Sequence, residues 1–323
     1  MTSPIQSAIA QVGIAKQSAK GSVAASPTFG HGVTGGAVMT VEIQQELSDL
    51  TSSKRMSSGV DRTGVMPGIN FTGRCHSKSV GEYLYGAMGA VNTTGSATYV
   101  HVFTLADDLP YLTAFGKLGS NIYSVADCKI DSLSLKWEGA KPVELDVSGM
   151  GTVVGYPGAF NVVNDDTMAS YFTGASGTFK LDVDSSTPVT ASITAGEIKI
   201  GNSIEAIMLS GAISPNDVFP GRQEVEVTFD VVAANLDDWR TLLTGSSGGT
   251  SASATTVFGS FEMVFTNGSD SLKIESAKCA FVCDFPEANP SGGPVTLSFA
   301  GMVVQTAAGA SLVCTLTNTH ASY

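Results

Sequence analysis

From Val38 to Gln45 apolar and polar positions alternate, with Met39, Val41 and Ile43 on one side, and this spacing predicts a strand. The following QQELSDL would also propagate as a short helix, and strand is the preferred reading. The same two-residue period recurs at Ile69 and Phe71, and again at Val225, Val227, Phe229 and Val231, with Glu226, Thr228 and Asp230 between them. Helical spacing is confined to short stretches, Val80, Tyr83 and Ala87 in one and Leu236, Trp239 and Leu243 in the other. The pattern predicts an all-β chain with short flanking helices. Two polar stretches, 46–67 and 209–221, are long for connections inside a compact domain and are candidates for contacts outside their own core. Residues 1–36 show no sustained period, and Pro27, Gly30, Gly32, Gly35 and Gly36 mark them as an extended arm able to order on a neighbour.

The chain also matches itself. Ile69 to Gly89 and Val225 to Gly245 each read as strand, short helix and closing Gly, at an offset of 156. Val143, Leu145, Val147, Gly149 and Met150 are answered by Val295, Leu297, Phe299, Gly301 and Met302 at an offset of 152, a drift that one loop indel explains. CKIDSLSLKW and CAFVCDF precede these at corresponding places, and each long polar stretch precedes its strand. The order predicts a duplicated unit: an arm at 1–36, a first unit at 37–154, a linker or insertion at 155–195 and a second unit at 196–323.

Composition narrows the function. Charged residues make up 14% of the chain against 43% hydrophobic, a sparse charge cover that expects neighbours over much of the surface. The net charge of −12 argues against gripping a nucleic-acid backbone, which needs clustered Lys and Arg. An acidic conduit, by contrast, would repel DNA. The opening MTSPIQSAIAQVGIAKQSAKG lacks the apolar run of a secretory signal, so synthesis in the cytoplasm is expected, and no stretch approaches a membrane span. Cys75, Cys128, Cys279, Cys283 and Cys314 are expected to be reduced, buried small hydrophobes.

Candidate chemistry is thin. Gly245, Ser246, Ser247, Gly248 and Gly249 match G-x-S-x-G, but follow a helix instead of opening one, the wrong context for a nucleophile elbow. His31, His76, His101 and His320 are scattered and read as surface or strand residues. Cys279 and Cys283 share a strand face but lack a second ligand pair for zinc. Asp107 with Asp108, and Asp165 with Asp166, read as solvated turns. Asn70, Asn92 and Asn267 head glycosylation triplets that carry no meaning without a secretory route. The sequence therefore assigns no catalytic, cofactor-binding or metal residue, and predicts a non-enzyme without cofactors.

The loop with Arg55, Gly59, Arg62 and Gly64, the strand and helix ending at Gly89, HVFTLADDLPYLTAF (101–115) and DCKIDSLSLKWEGAKPVELDVSGMG (127–151) resemble the tail tube, or major tail, proteins of long-tailed non-contractile phages. The likeness covers most of residues 30–154. It implies a β-sandwich-like fold with a flanking helix, whose strands join those of neighbouring subunits into a barrel around a lumen. The long loop of such proteins reaches the next ring, a role that falls on 46–67 here, with 209–221 as its echo. The implied setting is a virion tail of stacked rings, with a tape measure protein and a tail terminator as partners and DNA passing without specific binding. A second copy of the unit makes a ring of three subunits the preferred reading, six the alternative. The competing function is a carbohydrate- or receptor-binding β-sandwich, an adhesin or capsid decoration protein. It would need an exposed aromatic cluster, and the only two tryptophans, Trp137 and Trp239, sit in patterned segments.

Overall fold

Alternation becomes sheet along most of the chain. The computed structural model describes residues 10–47, 59–164, 170–185, 187–286, 292–306 and 311–323. The first half opens with β1 (Ala10–Lys16), β2 (Phe29–Leu47), β3 (Val60–Arg74) and helix α1 (Val80–Met88). It continues with β4 (Gly89–Gly95), β5 (Tyr99–Leu105), β6 (Leu112–Leu118), β7 (Asn121–Glu138) and β8 (Glu144–Met150), then the short β9 (Val153–Gly155) and β10 (Val163–Asn164). The second half holds β11 (Gly177–Asp182), β12 (Val189–Thr190), β13 (Ile193–Gly201), β14 (Glu205–Ile207), β15 (Asp217–Phe219) and β16 (Glu224–Val232). Helix α2 (Asp237–Thr244), β17 (Gly259–Asn267), β18 (Asp270–Cys283), β19 (Thr296–Val303) and β20 (Val313–Asn318) complete it.

Six strands of the first half close on themselves, β1 to β2, β3, β8, β7, β6 and back to β1, all antiparallel. The second half repeats the succession from β11 to β17, β18, β19, β16 and β13. There β12 closes the ring, pairing antiparallel with β11 at Lys180–Thr190 and Leu181–Val189, and the following Ala191 N–H donates to the Phe179 carbonyl. Equivalent turns join equivalent strands. Leu118 pairs with Asn121 around Gly119–Ser120, and Asn267 with Asp270 around Gly268–Ser269, and both glycines have φ of 61°. A two-residue hairpin requires such a positive φ at its first position to match the strand twist.

Sheet pairing also sets the repeat's register. Phe71 lies opposite Val147 and Phe229 opposite Phe299, so Phe229 is the counterpart of Phe71 and Val227 that of Ile69. The sequence match put Val225 opposite Ile69, two residues short; a two-residue slip keeps every side chain on its face and is invisible to the alternation. The glycines beside these aromatics correspond as well, Gly36 across from Phe71 and Gly196 across from Phe229. A Cβ at Gly36 would meet the Asn70 carbonyl at 2.8 Å, and one at Gly196 the Thr228 carbonyl at 2.6 Å.

Helix α1 buries Val80, Tyr83, Leu84, Ala87 and Met88, the i, i+3, i+4, i+7 face, and ends on Gly89 with φ of 91°. Helix α2 has the same place and the same glycine end, Gly245 with φ of 78°, but buries only Thr241. One apolar core runs through both halves. Trp137 of β7 carries it across, with its ring 5.7 Å from Phe179 and 5.6 Å from Phe265 of the second half.

Three segments differ from their sequence reading. From residue 10 onward the expected arm is wall: β1 and the start of β2 belong to the first barrel, with Val12 and Ile14 in the core. The polar stretch 46–67 is mostly hairpin, because β2 runs to Leu47 and β3 starts at Val60 with Leu47 paired to Val60; its tip, 48–58 with Arg55, lies outside the described residues. Backbone pairing needs no apolar face, and the side chains of 41–47 and 59–63 are exposed, so no alternation announced the rest of this hairpin as strand. The linker or insertion at 155–195 contains β11, which pairs along six residues with β17 of the second half.

Candidate assembly surface

Eight strands run edge to edge through both halves in the order β2, β3, β8, β7, β13, β16, β19, β18. Their inner face, with Ile69, Phe71, Leu133, Leu135, Val147, Ile198, Ile200, Val227, Phe229 and Phe299, is buried in the core. The outer face is polar. It carries the carboxylates of Glu144, Asp146, Glu197, Glu224, Glu226 and Asp230, which outnumber Arg74, Lys136 and Lys199. Shallow grooves cross it, one lined by Arg74, Lys136, Glu138 and Glu144, another by Asp131, Lys199, Glu224 and Glu226.

The halves meet at the seam of β7 and β13, where Leu133 lies opposite Ile200, Leu135 opposite Ile198 and Ser134 opposite Lys199. Apolar pairs fill its inner side, and an ion-pair relay crosses its outer side. Lys136 Nζ lies 2.8 Å from Asp146 Oδ2 on β8 and 3.5 Å from Glu197 Oε1 on β13. The hydrogen bond to Asp146, with Glu197 nearby, holds the Lys136 ammonium above its ordinary pKa. Burial works against the Asp146 carboxylate, yet hydrogen bonds from Lys136, Thr72 and Ser134 win and hold it below its usual value. Both groups are partly exposed, so the relay orients the seam more than it stabilises it. At the inner end of the seam Asn202 Nδ2 donates to the carbonyls of Ala87 and Ile130, at 3.1 and 2.9 Å, tying the second half to α1 and β7.

At the sheet's two ends the strands lack such partners among the described residues. Residues 35–47 of β2 pair with β3 on one side only, and β18 beyond Cys279 pairs with β19 on one side only. Apolar side chains crowd these ends: Val41 is 42% exposed, Ile43 52%, Val282 67% and Phe285 61%. The two insertions between equivalent strands lie together, since Val65 N–H donates to the Ile213 carbonyl at 2.6 Å. Ile207, Leu209, Ile213 and Phe219 of the second insertion are exposed.

The residues with catalytic or ligand potential are built into the structure instead. The G-x-S-x-G run forms the turn after α2. Of the histidines read as surface or strand residues, His31 lies in β2 and His101 in β5; His31, His76 and His101 are buried and His320 is half-buried. His31 Nε2 lies 2.8 Å from Tyr83 Oη, with the His76 ring 5.4 Å away, and His76 Nδ1 lies 3.0 Å from Ser170 Oγ. Burial, then His31 and Arg74, push His76 down to about 3. His101 is buried against Asn318 and the His320 carbonyl, and burial lowers both His101 and His320. Only the shared core could have revealed these pairs, because their sequence separations are large. Asp108 accepts from Lys129 Nζ at 3.0 Å and from the Leu109 N–H, and the Asp165 and Asp166 pair lies outside the described residues. All five cysteines are free; burial raises Cys128 and Cys279 to about 12, while Cys283 is half-buried. Trp137 is buried and Trp239 packs edge-on against Phe285, so neither offers a sugar platform. Among the described residues no group of three or more His, Cys, Asp or Glu could hold a metal, and no helix is long and apolar enough to cross a membrane.

Residues 7–315 match the family model described as phage tail tube protein. No curated protein matches the chain.

Proposed function

The chain belongs to the phage tail tube protein family, and from that premise we propose that it polymerises into stacked rings forming the tube of a long, non-contractile tail. The observation that carries this reading is the eight-strand sheet that crosses both halves through the seam of β7 and β13. Each half contributes four strands and presents the same face outward. Repeating that relation around an axis closes a ring, and three copies of a duplicated unit supply six such half-sheets. The polar outer face then lines the lumen. Its excess of carboxylates keeps a passing polyanion from adhering, since binding DNA requires cations that release its counterions. Residues 48–58 and the exposed insertion at 207–219 carry the contact between rings. The role is structural, without cofactor, in the virion tail after synthesis in the host cytoplasm. A tape measure protein inside and a terminator at the end follow as partners.

Electron microscopy of the purified protein tests the reading. Rings or tubes with threefold symmetry and six similar lobes per ring are expected. A species that stays monomeric at high concentration would overturn it, and a ring of six whole chains would overturn the trimer.

A further inference from the structure

The internal seam is a template for an external one. Sheet pairing makes residues of β13, β16, β18 and β19 the counterparts of residues in β2, β3, β7 and β8. Val147 and Phe299, at matching places in VELDVSGM and VTLSFAGM, pair with Leu133 and Cys283, so Cys283 corresponds to Leu133. Pro67 is the counterpart of Val225, and these pair with Val41 and Ile200, so Val41 corresponds to Ile200. Inside the chain Ile200 and Leu133 lie opposite one another, 1% exposed each. Their counterparts Val41 and Cys283 stand on open strand edges at opposite ends of the eight-strand sheet, Val41 being 42% exposed and Cys283 half-buried. Next along, Leu135 is 1% exposed while Phe285, two residues past Cys283, is 61% exposed. Among the described residues, apolar side chains and backbone without a second partner strand thus recur at the two ends where the internal seam has both covered.

We infer that β2 of one copy pairs antiparallel with the end of β18 of the neighbouring copy, in the register of the internal seam, with Val41 opposite Cys283, Thr40 opposite Asp284 and Glu42 opposite Val282. The inference rests on the tube reading and names the contact by which copies join within a ring. It makes the interface heterologous, head to tail, so the ring closes without a free edge. It also explains the thin cover of α2: α1 is sealed by the second half through Asn202, whereas α2 awaits the neighbouring copy beside Trp239 and Phe285. The external seam differs from the internal one in chemistry. Where Lys136 relays charge between Asp146 and Glu197, the corresponding positions are Pro286, three residues past β18, and Ser298 on β19, so apolar contact and backbone pairing hold the copies together.

The test is a disulfide between copies. Assembled Val41→Cys protein, oxidised with diamide, should give covalent multimers on a non-reducing gel, because directly opposed side chains bring their Cβ atoms within reach of a disulfide. Adding Cys283→Ser should abolish them, and Glu42→Cys, on the other face of β2, should give none. Rings that form normally yet yield no Val41→Cys cross-link overturn the seam and leave the tube reading standing. If Val41→Cys prevents assembly, hydrogen exchange on the unaltered protein decides: amides of 39–43 and 281–285 should slow on assembly, and unchanged exchange there in visible rings overturns the register. Failure of the unaltered protein to form any ring overturns both.

Discussion

Trp137 of the first half lies stacked on Phe179 of the second, ring centroids 5.7 Å apart and planes within 14°. The same indole touches Phe229 and Phe265, so one side chain from β7 fills the core of the other repeat. The halves are therefore expected to unfold together. Trp137→Ala should cost about 3–5 kcal/mol, the usual range for emptying a buried indole site. Trp137→Phe should cost clearly less, since the Nε1 proton has no partner among the described residues to lose. Equilibrium urea unfolding followed by circular dichroism measures both, and two separate transitions in the unaltered protein would contradict the shared core.

Tyr323 acts as a plug. Tyr323 Oη donates to the Lys78 carbonyl at 2.6 Å and accepts from Asn318 Nδ2 at 2.7 Å, and its ring sits 4.6 Å from that of His101. Gly81 makes room for it, because a Cβ there would collide with the Tyr323 ring. In an open helix Gly→Ala stabilises by up to roughly 1 kcal/mol. Gly81→Ala should instead destabilise, and the sign decides the point in a melting experiment. Tyr323→Phe should cost about 1 kcal/mol through its hydroxyl bonds.

Stability should fall as pH drops below 6.5. His76 takes a proton near 6.5 in the unfolded chain but only near 3 in the fold, so across that interval the unfolded state holds the extra proton. The stabilisation is complete above the unfolded value and is lost on acidification, by up to about 1.4 kcal/mol per pH unit. His101 and His320, also lowered by burial, act in the same direction. Asp146 and Glu262, held low by Lys partners, add a further loss only as pH falls through the carboxylate range. His76→Gln should flatten the urea-midpoint profile between pH 6.5 and 5, and an unaltered profile would remove His76 as the cause.

What the sequence could and could not disclose follows from these contacts. The alternation at Val225 to Val231, the glycine ends at Gly89 and Gly245 and the match of VELDVSGM to VTLSFAGM were legible, because burial on one face writes a period of two into the residues. Strand β1 was hidden by the feature that lets it close the barrel: a Cβ at Gly13 would strike the Phe29 carbonyl, so small residues stand where a strand would show bulk. The far end of the β2–β3 hairpin, past Gln45 and before Val65, was hidden by its exposed faces. The seam itself left no local mark. Ile200 and Leu133 look like any core strand residues, and only the fold shows that their counterparts, exposed Val41 and half-buried Cys283, stand at the two ends of the sheet.

The outer face predicts how the tube treats DNA. Glu144→Lys, Glu226→Lys and Asp230→Lys together would replace three carboxylates with cations on outer-face positions away from the Lys136–Glu197 pair, so rings should still assemble. DNA should then be retained, with an affinity that drops steeply as salt rises, where the unaltered protein shows none. Fluorescence anisotropy with a labelled duplex reads this directly, and equal binding by both proteins would place the face elsewhere than the lumen.

The hairpin of β2 and β3 separates ring formation from stacking. Leu47 and Val60 are already paired, so replacing 48–59 with Asn-Gly leaves a two-residue turn of the type strand twist favours. No core residue is removed, since burial on this hairpin begins at Gly64 and Val65, and stability should stay within about 0.5 kcal/mol. Removing all of 46–67 would be a poorer test, because it deletes Val65 and Pro67 and with them the pairing that presents Val41. With the short turn, single rings should form and fail to stack. Tubes of normal length in micrographs would show that ring-to-ring contact rests on another segment, and the exposed insertion at 207–219 would then be the one to shorten.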